Sequence, residues 1–326
     1  MYFMLPVVLI TGFLGSGKTT LLNELLKQNH GLKIAVIENE FGEKNIDYEF
    51  VLHEKEQIYQ MQNGCICCNV REDLLTALKE IWNLKTQGKT NFETVIIETT
   101  GLADPTPVLH TLKQDQFLAQ HFYIDSIICL VDSVNFKTQI ERSPEVKKQI
   151  TAANIVLLNK IDLLKDHSQI EEVRDHILCL NPFAKIINTS HAKCEMGDVF
   201  LKKLFVESQK VNAGEFKFKT RVANHDPLVK SYYFEINEVI NPFIFNFWLD
   251  LLMFQYAGDL YRMKGVLHLK DEPHKIFLQV VHDYIELNKG PLWEEHELRQ
   301  SQIVIIGKSL DRSVFEAGFK SCTKAD

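Results

Sequence analysis

The sequence of 326 residues lacks the features of several protein classes. It has no apolar run of the roughly 18 residues that a membrane-spanning helix requires. Residues 1–11 are apolar, but no basic n-region precedes them and a glycine-rich loop follows directly, so we interpret them as a buried strand rather than a signal peptide. The formal net charge is −7, without the basic footprint of a nucleic-acid binder. We therefore expect no membrane and no nucleic acid among the partners, and a cytoplasmic location.

Internal repeats and low-complexity segments are also missing from the sequence. Hydrophobic residues make up 45% and charged residues 24% of the chain, which is ordinary for a globular protein. The length is sufficient for two domains at about 100–200 residues each. Seven cysteines without a secretory signal indicate a reducing compartment, where clustered thiols more often bind metal or take part in catalysis than form disulfides.

Residues 1–210 show the pattern of an α/β domain. Short apolar runs alternate with helix-like segments, which predicts a mostly parallel sheet covered by helices on both faces. The predicted strands are residues 7–11, 33–38, 57–61, 94–98, 126–132, 154–159 and 185–189, and the predicted helices are 19–28, 71–84, 146–151 and 170–181.

The pattern changes in residues 211–230, a polar segment with Gly214 and Pro227 that we interpret as a linker. Residues 231–326 then predict a smaller α+β domain. Its predicted strands are 231–237, 266–269, 275–284 and 302–307, and its predicted helices are 242–263 and 310–321. The first of these helices is rich in aromatic residues, which we interpret as core, with a groove for a client protein as the alternative.

Residues 12–19 read GFLGSGKT and match the P-loop pattern between a predicted strand and a predicted helix. Glycines let the backbone amides surround phosphate groups, and the helix N-terminus favours the anion. We expect Lys18 to reach the β- and γ-phosphates and the Thr19 hydroxyl to coordinate Mg²⁺. The residues assigned to phosphate binding are Gly12, Gly15, Ser16, Gly17, Lys18, Thr19 and Thr20.

A second motif, Asn159-Lys160-Ile161-Asp162, follows a predicted apolar strand and indicates guanine selection. The Asp162 carboxylate can accept hydrogen bonds from N1–H and the 2-amino group of guanine, whereas adenine would leave the charge unpaired. Lys160 would lie along the base and Asn159 would brace the loop. Ser190, in the loop after the next predicted strand, is a further candidate for contact with the base.

The strand predicted at residues 94–98 ends in Glu98, and Gly101 follows three residues later. This arrangement predicts a Walker B carboxylate that holds Mg²⁺ and a glycine amide that senses the γ-phosphate. No glutamine after Gly101 is placed to orient the attacking water, as it is in Ras-like enzymes. We therefore expect slow hydrolysis, with a partner or a second subunit supplying what is missing.

A thiol cluster, Cys65-Ile66-Cys67-Cys68, precedes a predicted helix. Zinc favours thiolates, and a site with three protein ligands leaves one position open, which suits metal transfer. Inert buried cysteines and a redox pair are the alternatives. An acidic loop, residues 38–43, offers Glu38, Glu40 and Glu43 as ligands for the same metal or for Mg²⁺, or is simply a solvated loop.

Taken together, these motifs resemble the CobW family of metallochaperone GTPases, in particular its YjiA-like branch. The resemblance rests on residues 12–20, 37–43, 64–68, 98–105 and 159–162, and on the Arg262–Gly265, Gln279–His282, Trp293 and Ser301–Gly307 segments. It implies a slow GTPase whose cycle is coupled to delivery of zinc, or in some members cobalt. It also implies that Cys65, Cys67 and Cys68 bind the metal, assisted by Glu38 and Glu43.

The resemblance further implies a client metalloprotein as partner, and a homodimer or higher oligomer formed with nucleotide or metal. One departure from the family pattern is that His225 stands alone near the domain junction, where many members carry a histidine-rich stretch. Two other functions stay open. A regulatory GTPase with structural cysteines predicts no effect of metal on hydrolysis. A P-loop kinase or ligase predicts use of ATP, against which Asn159–Asp162 argues.

Overall fold

A computed structural model describes residues 4–28, 32–38, 70–199, 229–256 and 258–323. The predicted strand at 57–61, the thiol cluster, Glu40, Glu43 and most of the predicted linker lie outside the described residues. Two compact units divide the chain. The first comprises residues 1–173 and 184–207, and the second comprises residues 174–183 and 208–326. The predicted domain boundaries stay a prediction.

The first unit is built on a parallel sheet, as the alternating pattern predicts. Its six described strands follow the order β2-β3-β1-β4-β5-β6, and every described pairing is parallel. The strands are β1 (Leu5–Gly12), β2 (Ile34–Glu38), β3 (Thr94–Glu98), β4 (Phe122–Asp132), β5 (Ile155–Asn159) and β6 (Lys185–Asn188). β1, β3 and β5 are buried along their whole length, which explains why they are apolar without alternation.

Helices connect these strands. They are α1 (Lys18–Lys27), α2 (Val70–Thr86), α3 (Thr106–Gln114), α4 (Gln116–His121), α5 (Phe136–Arg142), α6 (Pro144–Ala152), α7 (His167–Leu180) and the short α8 (Met196–Val199), with a 3₁₀ turn at Ile161–Leu163. Three of these helices, α3, α4 and α5, were not predicted from the sequence. These helices have nine, six and seven residues, too short to show a clear helical period.

The strand order places the ends of β1, β2 and β3 side by side. β1 lies between β3 and β4. The chain goes from β1 to β2 on one side of it, and later crosses from β3 to β4 on the other side. Open parallel sheets bind ligands at such a switch point, beyond the carboxyl ends of the strands. The P-loop, the segment after Glu98 and the segment after Asn159 all follow strands at this edge. The P-loop NTPase fold class is thereby confirmed.

The second unit is an antiparallel sheet with two described helices, in agreement with the predicted α+β domain. The strand order is β10-β9-β8-β11-β7. The elements are β7 (Val229–Ile236), α9 (Pro242–Gln255), β8 (Leu260–Leu267), β9 (His274–Val281), β10 (Tyr284–Leu292), β11 (Ser301–Lys308) and α10 (Arg312–Ser321). Residues of α9 and α10, among them Phe245, Trp248 and Phe315, share one apolar core with residues of the sheet.

Three predicted elements of this unit are wrong in extent. The helix predicted at 242–263 ends at Gln255, and the strand predicted at 266–269 is the end of β8, which begins at Leu260. The helix has its C-cap at Tyr256, and Gly258 two residues later has φ +88°, a left-handed conformation that a continuing helix would not contain. The strand predicted at 275–284 is β9 followed by a tight turn at His282, where φ is +53°, and by the start of β10.

No helix among the described residues is both long and apolar enough to cross a membrane. The aromatic residues of α9 divide between its two sides. Phe245 and Trp248 are buried in the core as predicted, whereas Phe243, Phe247 and Phe254 are exposed, so the core interpretation is wrong for these three. In an amphipathic helix all the aromatic residues would lie on the buried side, but α9 has apolar residues on both its buried and its exposed side.

Candidate active site

The P-loop connects β1 to α1 and has the local geometry of a phosphate cradle. Gly17, the residue before α1, has φ +108°, and a Cβ there would lie 2.5 Å from the Asn159 amide nitrogen. Only glycine tolerates both the positive φ and the lack of space for a Cβ atom. The Lys18 ammonium lies 3.4 Å from the carbonyl oxygen of Phe13, so it folds back over the loop. The chain thus directs a cation and the α1 N-terminus toward the same space, as anion binding requires.

Thr19 and Glu98 come together at the edge of the sheet. The Thr19 hydroxyl donates a hydrogen bond to a Glu98 carboxylate oxygen at 3.0 Å, although 79 residues separate them in sequence. A hydroxyl and a carboxylate are oxygen ligands of the kind that Mg²⁺ takes in nucleotide sites. The Ser16 hydroxyl in the loop is buried and has no hydrogen-bond partner among the described residues. These groups fit Mg²⁺ and a phosphate group.

Gly101 packs directly against the P-loop. A Cβ at this position would lie 2.6 Å from the Leu14 backbone nitrogen and 2.7 Å from its Cα. The segment is held from behind by the buried Gln149 of α6, whose amide nitrogen donates to the carbonyl oxygens of Gly101 at 3.1 Å and Ala103 at 3.0 Å. A residue in α6 therefore positions the predicted γ-phosphate sensor.

An ion pair adds a second link between this segment and α6. The Lys148 ammonium lies 2.8 Å from an Asp104 carboxylate oxygen. Burial alone would raise the pKa of Asp104, but hydrogen bonds from Lys148 and Thr106 outweigh it and hold the pKa below its ordinary value. Asp104 is therefore ionised at neutral pH and keeps its pairing with Lys148.

Asn159 joins the P-loop to the predicted guanine loops. Its amide nitrogen donates to the carbonyl oxygen of Ser16 at 2.9 Å, and its amide oxygen accepts from the Ala192 amide at 2.8 Å. The Thr189 hydroxyl also donates to that oxygen at 3.3 Å. One buried side chain at the end of β5 thus connects the P-loop to the loop after β6, which is the bracing contact that the sequence predicts.

Lys160 is held by a residue that the sequence analysis did not single out. Its ammonium lies 2.8 Å from a carboxylate oxygen of Asp132, the last residue of β4. Asp132 also accepts from the Val134 and Asn135 amides at 3.0 and 3.2 Å. Burial would raise the pKa of Asp132, but the hydrogen bonds from Lys160 and Asn135 lower it below the ordinary value. The sequence feature that could have identified Asp132 is a carboxylate at the end of an apolar strand.

The predicted base-contacting residues lie in two neighbouring loops. Asp162 is in the 3₁₀ turn after β5, and its carboxylate lies 3.8 Å from the imidazole of His191. Ser190 follows β6, and its carbonyl oxygen accepts from the Lys193 amide at 3.1 Å. The Ile161 amide donates to the carbonyl oxygen of Thr189, so the two loops are joined.

Glu38 is the predicted metal ligand that the structure describes, and it lies beside Glu98. The two residues are register partners at the ends of β2 and β3. Paired residues of parallel strands direct their side chains to the same face of a sheet. Cys65, Cys67, Cys68 and Glu43 are outside the described residues. Within the described ranges, no group of three or more metal-ligating side chains is present.

Family models match both units. The CobW/HypB/UreG nucleotide-binding domain matches residues 6–188, and the CobW C-terminal domain matches residues 229–323. The chain belongs to the CobW/HypB/UreG family. The predicted family and the predicted P-loop GTPase are thereby confirmed.

Known proteins are similar to this CobW-family chain over nearly all of its residues. The zinc chaperone YjiA of Escherichia coli is 31% identical over 98% of the chain and 99% of its own length. The zinc chaperone CobW of Pseudomonas aeruginosa is 28% identical over 95% of the chain and 89% of its own length. The crystal structure of Zn(II)-bound YjiA has a TM-score of 0.71 at 30% identity, and it covers 98% of this chain and 99% of YjiA.

Proposed function

We propose that this CobW-family chain is a GTP-hydrolysing metallochaperone that couples its nucleotide cycle to the binding and delivery of zinc. The zinc chaperones named above support the metal, and so does a Dictyostelium discoideum relative, zinc-regulated GTPase metalloprotein activator 1, which is 26% identical over 99% of the chain and 80% of its own length. That name also supports a client metalloprotein as the partner. The four cysteines in the described ranges form no disulfide, which fits a reducing compartment such as the cytoplasm.

The observation that carries the coupling is the pairing of Glu38 with Glu98. Neighbouring strands are about 4.8 Å apart, so a divalent cation bound by Glu38 would change the electrostatic potential at the carboxylate that contacts Thr19. Glu38 also begins the segment that leads to the predicted thiol ligands Cys65, Cys67 and Cys68. Metal cargo and the γ-phosphate thus act on adjacent ends of two hydrogen-bonded strands.

Other residues of the chain bind the phosphates, select guanine and sense the γ-phosphate. Lys18 and the P-loop amides bind the phosphates. Thr19 and Glu98 would hold Mg²⁺, which would supply positive charge to the phosphate groups. Asp162, Lys160 and Ser190 select guanine. The Gly101 amide senses the γ-phosphate from a segment that Gln149 anchors.

GTP hydrolysis by the metal-stripped, reduced protein, titrated with zinc and then with cobalt, tests the proposal. We expect the rate to change at near-stoichiometric metal. Glu38→Gln and Cys67→Ala should each shift the midpoint of this change to at least about tenfold higher metal, because each removes one ligand. Cys179→Ala, a cysteine of α7 outside the predicted site, is the matched control and should leave the midpoint unchanged.

Zinc content alone would not identify the site. A YjiA variant with one glutamate and two cysteines changed to alanine was crystallised with Zn(II) bound. The decisive readouts are therefore the rate and the metal affinity, measured together. A hydrolysis rate that is indifferent to metal, with no tight metal binding, would replace the metallochaperone with a regulatory GTPase whose cysteines are structural.

A further inference from the structure

Helix α9 directs a row of large apolar side chains to solvent. Phe243 is 79% exposed, Phe247 61%, Leu251 41% and Phe254 86%. At about 100° per residue, these four positions fall within a sector of roughly 80° on one side of the helix. The opposite side, with Phe245, Trp248, Leu249 and Leu252, is buried in the core of the second unit. We call the exposed row the α9 face.

The α9 face is large for a surface that no described residue covers. A phenylalanine presents roughly 150–250 Å², so the exposed fractions amount to about 500 Å² of apolar surface. Contiguous apolar patches of about 300–600 Å² are the largest that typical monomers expose, and they often mark interaction sites.

We propose that the α9 face binds the α9 face of a second copy of this chain, with the two helices antiparallel about a two-fold axis. The spacing of the row is nearly symmetric about its midpoint, between residues 248 and 249. An antiparallel pair would therefore place Phe243 against Phe254 of the partner subunit, and Phe247 against Leu251 of the partner subunit. A self-complementary patch of this kind is what an isologous interface requires.

The polar residues of the face favour a second copy over a lipid surface or another apolar groove. Asp250 is the one charged residue of α9, and Asn246 lies one turn before it on the same flank of the row. The two-fold operation keeps this flank on the same side in both copies. The same register then brings each Asn246 amide to Asp250 of the partner subunit, so that the carboxylate is not desolvated without a donor.

The area that the two α9 faces bury determines how tightly we expect the dimer to associate. Two faces of about 500 Å² bury about 1,000 Å², the lower limit for a specific interface. We therefore expect a dimer that dissociates at concentrations on the order of 10 µM rather than nanomolar. This dimer needs neither GTP nor metal, so it does not depend on the proposed function.

Sedimentation velocity of the full chain, with chelator and without nucleotide, tests the dimer. Phe247→Asp should raise the dissociation constant at least about tenfold, because it places a carboxylate in the centre of the interface. Leu298→Asp changes a leucine that is 68% exposed in the segment between β10 and β11, and as the matched control it should leave the constant unchanged. GTP hydrolysis per subunit and the far-UV circular dichroism should be the same in all three proteins.

Substitutions that add a positive charge test the antiparallel register of the two α9 helices. Asn246→Lys should tighten the dimer severalfold by pairing with Asp250 of the partner subunit, whereas Asp250→Lys should not. Repeating the runs with GTP and zinc separates this interface from one that nucleotide or metal creates. A chain that stays monomeric at about 100 µM, a dimer that Phe247→Asp does not weaken, or binding of the α9 face to lipid vesicles by a monomer would overturn the proposal.

Discussion

Asp132 fixes the position of Lys160, the residue that would lie along a guanine base. The carboxylate is 2% exposed and holds the ammonium at 2.8 Å, so the pair is shielded from water on the carboxylate side. A hydrogen bond to a charged partner contributes about 1.5–3 kcal/mol, more than an exposed ion pair does. Lys160 itself has φ +63°, a strained conformation that this contact helps to hold.

We predict that Asp132→Asn weakens GTP binding about tenfold or more, since about 1.4 kcal/mol corresponds to a factor of ten. The amide keeps one acceptor for the Val134 and Asn135 amides but presents a donor or a neutral oxygen to Lys160. Fluorescence titration with a labelled GTP analogue measures the change. Asp115→Asn is the control, because Asp115 likewise accepts a hydrogen bond from a backbone amide and pairs with a lysine, but at the start of α4.

The contribution of Asp132 to the free energy of unfolding depends on pH, because the pKa of Asp132 is lowered in the folded protein. A carboxyl whose pKa is lower in the folded protein contributes stability that is complete above its unfolded pKa of about 3.9 and is lost as the pH falls through the folded value. The difference in unfolding free energy between wild type and Asp132→Asn should therefore stay constant from about pH 5 to 8. Equal GTP affinity in the two proteins would contradict the positioning role of Asp132.

The site residues that the sequence predicts and those that it does not single out differ in how they are encoded. Lys18, Asn159 and Asp162 belong to contiguous motifs with fixed spacing, so a single sequence predicts them. Asp132 and Gln149 act on Lys160 and Gly101 through contacts between segments that are 28 and 48 residues apart. Such pairs depend on the strand order and the helix packing, which the local pattern does not contain.

Helix α10 packs closely against α9 through a glycine. A Cβ at Gly318 would overlap the indole ring of Trp248. The indole cannot move away easily, because it is buried and its ring centroid lies 5.6 Å from those of Phe245 and Phe319. The glycine therefore sets how closely the two helices approach.

We predict that Gly318→Ala lowers the free energy of unfolding by about 1–2 kcal/mol. Overpacking costs about 1–3 kcal/mol, and the better helix propensity of alanine offsets up to about 1 kcal/mol of it. Urea denaturation followed by circular dichroism measures the change. Gly197→Ala in α8 is the matched control, because its Cβ would meet nothing within 4 Å. A stabilised Gly318→Ala protein would show that α9 and α10 have room to separate.

The wrong boundaries in the second unit have a common physical cause. The sequence of β8, LYRMKGVL, mixes apolar residues with Arg262, Lys264 and Gly265, and its first four residues were predicted as the end of the helix. It becomes a strand because β9 and β11 pair with it on both sides. These hydrogen bonds join residues that are far apart in sequence, and they override local helix propensity. The parallel sheet of the first unit was predictable because its apolar strands alternate with helical segments along the chain.

Metal binding and GTP binding are linked by thermodynamic reciprocity. If zinc changes the affinity for GTP by some factor, GTP must change the affinity for zinc by the same factor. We predict equal factors of about 5–150 in the two directions, the usual range of coupling between sites. Zinc titrations with and without a non-hydrolysable GTP analogue, and nucleotide titrations with and without zinc, measure both. Glu38→Gln should bring both factors toward one, whereas factors of one in the wild-type protein would mean that the two sites are independent.

The register of β2 and β3 also has a consequence for how this protein can diverge. Glu38 and Glu98 are partners in one ladder of backbone hydrogen bonds, so a substitution that suits Glu38 to a different cation also alters the field in which Glu98 works. Descendants that change cargo would then inherit a changed turnover rate in the same mutational step. A lineage that keeps its rate while it switches metal would need a compensating change elsewhere, and the contact of Gln149 with the Gly101 segment is a suitable place for it.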